Sequence, residues 1–505
     1  MPENNKYDLV LINPPTQFDL STMTLGLLTI ASYVRQKGFC VTILDGSLKE
    51  IKEQILRLDL NNSIVGLSAT TDVVLSAADL CKFIKGYCPA AFCILGGFHA
   101  TALPEETLLE TDFDMVVFGE GEMTVAEILQ RHKNNEDFEN IAGTVIRNNG
   151  TVLKNPSRLL IKNLDILPFP AYDLVNLENK FLGLRDEKVV VKRGLPMLIS
   201  RGCPYDCVFC GSKIMWQRTN RWHSIEYVIN QIEYLVKTFY IDGIEFLDDE
   251  LLSNKKNFTL LIEHFLKSGL AEKIKWECQS RVTSVDEEKL IMLKQAGCRL
   301  IRFGIESGSS KILEFLKGNR IKIEDCYKAV QLCKKVGLSS FGTFILGSPE
   351  ESLEDIVQTI EFIEKSGLSL AAVFVVVPYP GTDLFSICKE KGYLPTKIKW
   401  SDFIIEGRAS NSVIKNRYFT PEQLQHIRDY INLNIIRYLT WGQRPRKLNH
   451  RKELEKIING DLRNGREALV GRMANFYHRG LARPDKIIPF VSRKMRQGIR
   501  MVTKK

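Results

Sequence analysis

The chain has 505 residues, of which 44% are hydrophobic and 26% are charged, with a formal net charge of +9. This length and composition predict a globular protein of two or three domains with sizeable cores. The 12 cysteines stand at scattered spacings, which excludes a small disulfide-framework protein.

The N-terminal residues show no recognisable secretory signal. Residues 1–8 have neither the basic segment nor the apolar segment of a secretory signal. No apolar run approaches the roughly 18 residues that a membrane-spanning helix needs. The sequence therefore predicts a cytoplasmic protein in a reducing compartment.

Short apolar runs alternate with helical patterns over the first part of the chain. The apolar runs lie at 8–13, 41–44, 64–68, 92–95 and 115–118, and the helical patterns at 25–36, 49–58, 72–87, 103–110 and 122–132. This alternation predicts βαβ units and a parallel sheet, which binds ligands at the loops beyond the carboxyl ends of its strands. Those loops are rich in glycine and small hydroxyl residues, which allow close backbone approach and offer hydrogen bonds. They contain neither a dinucleotide fingerprint nor a phosphate loop.

A hairpin and a linker follow. Asn148-Asn149-Gly150 lies between the β-branched runs 141–147 and 151–154, a pattern typical of a β-hairpin. Residues 156–195 are predicted to form a linker, with a proline-rich segment at 167–172.

Three cysteines then stand close together on a predicted loop. Cys203, Cys207 and Cys210 have the spacing Cys-x3-Cys-x2-Cys and follow a short apolar strand at 197–199. Cuboidal iron–sulfur clusters are held by cysteine thiolates, normally four, so three would leave one iron open to an outside ligand. A zinc site and a chance grouping are the alternatives; structural zinc usually takes four ligands, and no second cysteine pair is present.

Residues 193–400 repeat the strand–helix alternation six times. Six βα units predict a partial barrel, since a full TIM barrel has eight, and such barrels carry function at the carboxyl ends of their strands. Polar residues follow several strands here, and those we single out are Asp248, which stands beside Asp249, and Arg281. Paired carboxylates suggest metal binding or acid–base work, and capping of the next helix is the alternative. Arg281 is suited to bidentate pairing with a carboxylate, and an ordinary salt bridge is the alternative. The scattered Cys278 and Cys298 are predicted to be buried packing residues.

The positive charge is concentrated at the C-terminal end. Trp441 to Lys505 contains 18 Lys and Arg and 5 Asp and Glu, a net +13, so the remainder carries 9 − 13 = −4. Three interpretations of this helical, basic tail stay open: a lid over the barrel, a basic surface for anionic lipid or nucleic acid, and a solvated helical face. The aromatic residues interspersed in it are Trp441, Phe476, Tyr477 and Phe490.

The cysteine loop resembles that of the radical S-adenosylmethionine (SAM) enzymes, in which SAM chelates the open iron and is cleaved to a 5′-deoxyadenosyl radical. Cys203, Cys207 and Cys210 match the motif one for one, which implies a [4Fe-4S] cluster. Phe209 matches an aromatic that packs near the adenine. The resemblance further implies SAM contacts at Asp248, Arg281, Glu306, Ser307, Ile345 and Gly347, the last two within a pattern that extends to Glu350.

The preceding sheet resembles the Rossmann-like domain of the cobalamin (B12)-dependent branch. The matching stretches are Asn13-Pro14-Pro15, Thr24-Leu25-Gly26, 96–101 and 118–122. The implied cobalamin contacts are Pro14, Thr24, Leu25, Gly26, Ser68, Thr70, Gly96, Gly97, His99, Gly119, Glu120, Gly121 and Glu122. The Asp-x-His-x-x-Gly motif that ligates cobalt in many B12 proteins is absent, so the lower face of cobalt is expected to be open or water-bound. His99 is expected to be a polar loop residue near the corrin, with cobalt ligation and a core role as alternatives. A sheet that has lost B12 binding is a further alternative.

Together these resemblances predict an α/β protein: a Rossmann-like B12-binding domain (1–140), a hairpin and linker (141–192), a partial (β/α)6 TIM-like radical SAM barrel (193–400) and a helical basic region (401–505). The implied function is methylation of an unactivated carbon of a small-molecule or biosynthetic intermediate, using methylcobalamin and the deoxyadenosyl radical. The alternatives are a B12-dependent cyclase, ring-contraction or oxidation enzyme, and a non-catalytic B12 or redox sensor. The expected partners are a small-molecule substrate and an electron donor such as flavodoxin or ferredoxin; peripheral membrane contact through the tail stays open, and nucleic acid is not favoured.

Overall fold

The computed structural model describes residues 7–16, 23–148, 150–183, 185–186, 189–403, 413–436 and 448–460. Their contacts divide into two compact units, each built from separate segments of the chain. The first comprises the described residues of Met1–Lys180, Leu198–Gln231 and Val377–Lys415. The second comprises those of Phe181–Met197, Ile232–Val376 and Asn416–Lys505. The domain boundaries drawn from the sequence stay a prediction.

The strands of the described chain are β1 (Leu9–Ile12), β2 (Val41–Leu44), β3 (Ile64–Ser68), β4 (Phe92–Gly96), β5 (Met115–Val117), β6 (Thr144–Asn148), β7 (Thr151–Lys154), β8 (Arg185–Asp186), β9 (Val189–Val190), β10 (Gly194–Met197), β11 (Ser200–Arg201), β12 (Arg221–Trp222), β13 (Gly243–Phe246), β14 (Lys275–Ser280), β15 (Cys298–Glu306), β16 (Ser339–Leu346) and β17 (Leu370–Val375).

The α-helices are α1 (Leu25–Gln36), α2 (Leu48–Ile55), α3 (Val74–Tyr87), α4 (Phe98–Ala102), α5 (Pro104–Glu110), α6 (Glu122–Asn134), α7 (Ser212–Trp216), α8 (Ile225–Phe239), α9 (Lys255–Lys267), α10 (Leu270–Lys273), α11 (Glu287–Gln295), α12 (Ser310–Lys317), α13 (Ile323–Val336), α14 (Leu353–Lys365), α15 (Asp383–Glu390), α16 (Pro421–Ile431) and α17 (His450–Ile458).

The first unit is organised by a sheet in the order β2-β1-β3-β4-β5-β6-β7. Strands β1 to β5 are parallel, whereas β6 pairs antiparallel with β5 and with β7. The predicted parallel sheet and hairpin are therefore both present, and the hairpin extends the sheet. The order 2-1-3-4-5 is that of flavodoxin-like sheets, which bind ligands at the carboxyl ends of the strands where the order reverses, here between β1 and β3.

Apolar strands buried on both faces explain why this sheet forms. All four residues of β1 are buried, and so are the first four of β3. Near-continuous apolar strands of this kind are typical of parallel sheets that helices cover on both faces. One core cluster joins β1, β3 and β4 to α2 and α3, and its members include Val10, Val65, Ile51, Leu80 and Leu95.

The second unit contains a parallel six-stranded sheet in the order β10-β13-β14-β15-β16-β17. Strands follow one another in chain order with helices between them, and the edge strands are β10 and β17. Half-buried and buried residues alternate along β16, from Ser339 to Leu346, as a strand with two different faces requires. The predicted partial barrel of six βα units is confirmed.

Part of the predicted C-terminal region can be described. Helices α16 and α17 lie in the second unit, and α16 begins with a capping box at Thr420 and Gln423. Trp441, Phe476, Tyr477, Phe490 and most of the basic tail lie outside the described residues. In the part of the chain that can be described, no helix combines the length and the apolar character that crossing a membrane takes.

Candidate functional site

The loops predicted to contact cobalamin lie at one edge of the first sheet. The register pairs Ile12 with Leu67 and Ser68 with Gly96, so β1, β3 and β4 end together. Pro14 follows β1, Gly119 follows β5, and Thr24 is the N-cap of α1, where Leu25 and Gly26 are the first two residues. Thr70 follows β3, and its hydroxyl donates to Asp72. The structure thus gathers these candidates from five separate stretches of sequence.

Gly97 shows why this edge needs glycine. Its φ is +101°, and a Cβ there would lie 2.6 Å from the carbonyl oxygen of Ala69. Gly119 has φ +77°, and a Cβ there would meet nothing within 4 Å. Left-handed backbone and open space beside a loop are what close approach of a ligand to the main chain requires.

His99 lies fully buried at this edge, in α4. Its Nδ1 lies 3.1 Å from Thr71 Oγ1, and its ring makes an edge contact with Trp400 at 4.7 Å between centroids. Its Nε2 has no hydrogen-bond partner among the described residues. Burial lowers the pKa of His99 to about 4, so the imidazole is neutral near pH 7. A neutral ring with one unsatisfied nitrogen is suited to a polar or metal contact, and its role stays a prediction.

Glu120 and Glu122 are buried carboxylates that bind arginines of the cysteine region. Arg201 donates to Glu120 Oε1 at 2.7 Å and to Glu122 Oε1 at 2.5 Å. Arg221 donates to both Glu120 oxygens, at 3.1 and 3.0 Å. Burial alone would raise the pKa of Glu120, but the bonds from Arg221 and Arg201 lower it below its ordinary value. Neither arginine was singled out from the sequence, because ion pairs between residues 81 and 101 positions apart leave no local pattern.

The three cysteines lie in the loop of a short hairpin. Strands β11 and β12 pair antiparallel, with Arg201 opposite Arg221, and they enclose Cys203, Cys207, Cys210 and helix α7. None of the three cysteines forms a disulfide, and all three are half-buried, as is Phe209.

Backbone amides shape the cysteine turn. The amide of Cys210 donates to the carbonyl oxygen of Cys207 at 3.1 Å, and the amide of Ser212 donates to Cys210 Sγ at 3.4 Å. Three accessible thiols on one loop, one of them already accepting an amide bond as a thiolate would, fit a cuboidal cluster. Among the described residues, no three His, Cys, Asp or Glu side chains are arranged around a single metal ion; in a cluster each thiolate binds its own iron.

In the second unit, two predicted SAM residues lie beside a buried glutamate that the sequence did not single out. Asp248 is fully buried, and Arg281 is buried after β14. Glu250 accepts the backbone amide of Arg281 at 2.7 Å and the hydroxyl of Ser280 at 2.7 Å. Burial raises the pKa of Glu250 despite these bonds. Glu250 thus joins the loop after β13 to the end of β14.

Glu306 is the last residue of β15, the longest strand of the sheet, and Ser307 follows it. Glu306 is buried with φ +72°, at a register shift between β15 and β16, and its Oε1 lies 3.4 Å from Lys317 Nζ. Left-handed backbone in a residue other than glycine costs energy and is concentrated at functional sites. The hydroxyl of Ser307 lies 3.2 Å from that of Thr359.

The loop after β16 is held by Glu351. Gly347 has φ +94°, and its amide donates to Glu351 Oε2 at 2.5 Å; the amide of Ser348 donates to the same oxygen at 3.2 Å. Glu350, the residue that the sequence pattern picked out, is instead half-buried and lies 3.5 Å from Arg417. Ser348 Oγ and Glu351 Oε1 are buried without a hydrogen-bond partner in the described chain. Buried polar atoms are normally satisfied, so this loop suits a polar ligand. Ile345 is half-buried near the end of β16.

One face of the second sheet also carries a charged triad. Arg302 on β15 bonds Glu245 on β13 at 3.1 Å and also Glu277 on β14. Burial raises the pKa of Glu277 to about 7, against the opposing effect of Arg302. Glu245 and Glu277 lie directly opposite each other and would repel, and the ion pairs that both form with Arg302 offset this repulsion.

Comparison with known proteins gives two domain matches. Residues 16–129 match the B12 binding domain, and residues 197–363 match the Radical SAM superfamily. The two matches stand in the same order as the two sheets described above.

Two relatives and one solved structure are similar over much of the chain. The uncharacterized methyltransferase PH0819 of Pyrococcus horikoshii is 33% identical over 90% of this chain and 98% of its own length. An anaerobic magnesium-protoporphyrin IX monomethyl ester cyclase of Cereibacter sphaeroides is 26% identical over 66% of this chain and 54% of its own length. The cobalamin-dependent SAM radical enzyme OxsB, solved with aqua-cobalamin and SAM bound, shares the fold with a TM-score of 0.68 and 17% identity, over 98% of this chain and 75% of OxsB.

Three findings lead to one assignment: the order of the two domains, the cysteine loop, and 33% identity to a relative along 98% of its length. This chain belongs to the cobalamin-dependent radical SAM enzyme family.

Proposed function

We propose that the chain methylates an unactivated carbon of a small-molecule or biosynthetic intermediate, with a [4Fe-4S] cluster, SAM and cobalamin as cofactors. The observation that carries the proposal is that the cysteine loop and the ligand edge of the first sheet belong to one compact unit. When bound, the cluster with SAM supplies a radical that removes hydrogen from carbon, and cobalamin supplies the methyl group.

The residues of the chain have distinct roles in this proposal. Cys203, Cys207 and Cys210 hold the cluster through their thiolates. His99 and the glycine-containing loops contact cobalamin at the carboxyl edge of the first sheet. Asp248, Arg281, Glu306, Ser307, Ile345, Gly347 and Phe209 are the proposed SAM contacts. The unsatisfied Ser348 Oγ and Glu351 Oε1 support a polar ligand at the loop after β16.

Methylation is favoured over ring closure by the extent of the similarity. The relative named as a methyltransferase is matched along 98% of its own length, whereas the cyclase is matched along 54%. Ring formation is the second candidate function, because the cyclase is 26% identical to this chain over 66% of the length of this chain.

The deciding experiment is anaerobic reconstitution with iron, sulfide and cobalamin, followed by reduction in the presence of SAM labelled at its methyl group. We expect 5′-deoxyadenosine and S-adenosylhomocysteine in the wild type, and transfer of label to an unactivated carbon of a small molecule offered as substrate. Deoxyadenosine without S-adenosylhomocysteine would favour ring chemistry. Absence of deoxyadenosine under reduction would rule out both candidates.

The ligand assignment has its own test. We expect Cys207→Ala to lose the four-iron cluster on reconstitution, because one of three anchoring thiolates is removed. Cys40→Ala is the matched control, since Cys40 is an exposed free thiol. Iron and sulfide per chain are measured. A full four-iron cluster in Cys207→Ala would overturn the assignment.

The expected partners follow from the same chemistry. We propose a reduced flavodoxin or ferredoxin as the electron donor and the cytoplasm as the location, because none of the twelve cysteines forms a disulfide and a cluster on half-buried thiolates needs a reducing compartment. Membrane contact through the basic tail stays a prediction. It is tested by liposome co-sedimentation of the full chain and of a chain ending at Gly442.

A further inference from the structure

The neck of the cysteine hairpin is an unusual pairing of two arginines. Arg201 and Arg221 lie directly opposite each other in β11 and β12. Like charges at such positions destabilise a strand pair. Here Glu120 lies between them and bonds both guanidinium groups, so the repulsion is replaced by two ion pairs. The neck is therefore held together by a carboxylate from outside the hairpin.

A second carboxylate and an aromatic ring complete this network. Glu122 forms an ion pair with the second terminal nitrogen of Arg201. The ring centroid of Trp216, at the end of α7, lies 5.6 Å from the guanidinium carbon of Arg201 and 5.8 Å from that of Arg221. The side chains of Glu120 and Glu122 are only 3% and 4% exposed. Two glutamates and two arginines balance in charge, and removing one member would leave a buried charge without its partner.

Both carboxylates lie shortly after β5, at the ligand edge of the first sheet: Glu120 in the loop and Glu122 as the first residue of α6. Glu120 also accepts the amide of Ile161 at 2.7 Å, and Arg221 donates to the carbonyl oxygen of Ile161 at 2.6 Å. This loop contains Gly119, with its left-handed backbone and open space, and leads into α6 at Glu122. Arg201 stands two residues before Cys203, so its ion pairs with Glu120 and Glu122 link the segment after β5 to the first cysteine.

We infer that Glu120 and Glu122 are positioning residues that couple the two cofactor sites: a ligand at the loop after β5 orders the carboxylates, and these order the neck of the cysteine hairpin. The inference rests on the proposed function, in which cobalamin and the cluster bind to this unit. Coupling of this kind is reciprocal, so cobalamin strengthens retention of the cluster, and the cluster strengthens retention of cobalamin.

The test compares full-length wild type with Glu120→Gln, Glu122→Gln and the control Glu127→Gln, each reconstituted anaerobically with iron and sulfide. Glu127 lies on the same helix α6 and binds Arg131 and Arg158, away from the cysteine hairpin. The rate at which a chelator removes iron is measured with and without hydroxocobalamin. We expect cobalamin to slow iron loss about fivefold or more in the wild type and in Glu127→Gln, and about twofold or less in the other two variants.

Every outcome bears on the coupling. Equal protection in the wild type, Glu120→Gln and Glu122→Gln would overturn it, and so would a wild type that cobalamin does not protect. If Glu120→Gln does not retain a cluster, Glu122→Gln decides, because it loses one bond of the network and not four contacts. Protection without deoxyadenosine formation would overturn the proposed function and leave the coupling; methyl transfer without protection would do the reverse.

Discussion

At the scale of single residues, the loop after β16 shows how one position decides a role. Glu350 and Glu351 are adjacent, but only the Glu351 carboxylate reaches the amides of Gly347 and Ser348. Burial raises the pKa of Glu351 to about 8, although these amide bonds oppose the shift. The folded protein therefore holds a proton that the unfolded chain releases near the ordinary pKa of 4.5.

The raised pKa of Glu351 predicts that the stability of the protein depends on pH. Between 4.5 and about 8 the folded state binds more protons at Glu351 than the unfolded state, so the free energy of unfolding falls as pH rises through that range. Glu351→Gln removes this dependence, and we expect the variant to gain stability relative to wild type as pH rises towards about 8. The urea midpoint of cofactor-free protein is measured across this range. Glu350→Gln is the control, and parallel profiles for wild type and Glu351→Gln would contradict the assignment.

At the scale of elements, the cysteine hairpin is held from several sides within the first unit. The neck arginines bind the loop after β5, and the carbonyl oxygen of Val208 accepts the amide of Leu384 at the start of α15 at 2.8 Å. Lys213 on α7 forms an ion pair with Asp383 on the same helix α15. The backbone of the loop is therefore specified by contacts far away in sequence, which the spacing of the cysteines does not report.

Two glycines of this hairpin provide a matched pair of substitutions. Gly202 has φ +92°, and a Cβ there would lie 2.2 Å from the carbonyl oxygen of Thr219 and 2.7 Å from Trp216 Cβ. Gly211 would place its Cβ 4.0 Å from the nearest atom, in the ring of Phe98. We expect Gly202→Ala to lower iron content after reconstitution, because the left-handed conformation alone costs about 1–2 kcal/mol and the clash adds to it. Gly211→Ala should retain wild-type iron content, and equal loss in both would contradict the role of the neck.

At the scale of the whole molecule, the first unit is assembled from segments that are far apart in the chain. The buried Glu120 and Glu122 form ion pairs with Arg201 and Arg221, which the segment Leu198–Gln231 supplies. The stability of the sheet domain is thus tied to residues that the sequence assigns to the next domain.

A fragment of the chain tests this dependence. In the full chain, we expect Glu120→Gln with Glu122→Gln to lower the free energy of unfolding of this unit by about 3–5 kcal/mol, the cost of breaking buried ion pairs. A fragment ending at Lys180 lacks both arginines but keeps the bond from the Ile161 amide to Glu120, so the double substitution should change its stability by about 1 kcal/mol or less. Urea unfolding followed by circular dichroism measures both. A large loss in the fragment would show that the carboxylates stabilise the sheet without the arginines.

Local patterns in the sequence were enough for the elements, and they also single out the three cysteines proposed as cluster ligands. The apolar runs of β1 to β5, the helical periodicity between them and the β-branched runs of β6 and β7 depend on neighbouring residues, and each forms the predicted element. Cys203, Cys207 and Cys210 are also recognised locally, since their ligand type and spacing lie within eight residues. These features can be predicted from the sequence because residues close together in the chain determine them.

Tertiary structure alone decided the partners of buried charges. The pairing of Glu120 with Arg201 and Arg221, the choice of Glu351 over Glu350, and the place of Glu250 between two strand ends all depend on chain segments brought together by folding. A buried carboxylate is stable only where a specific donor meets it, and which donor does so is set by strand order and register. The amino-acid sequence therefore determined what kind of protein this is and which thiolates it offers, while the fold determined what holds those thiolates in place.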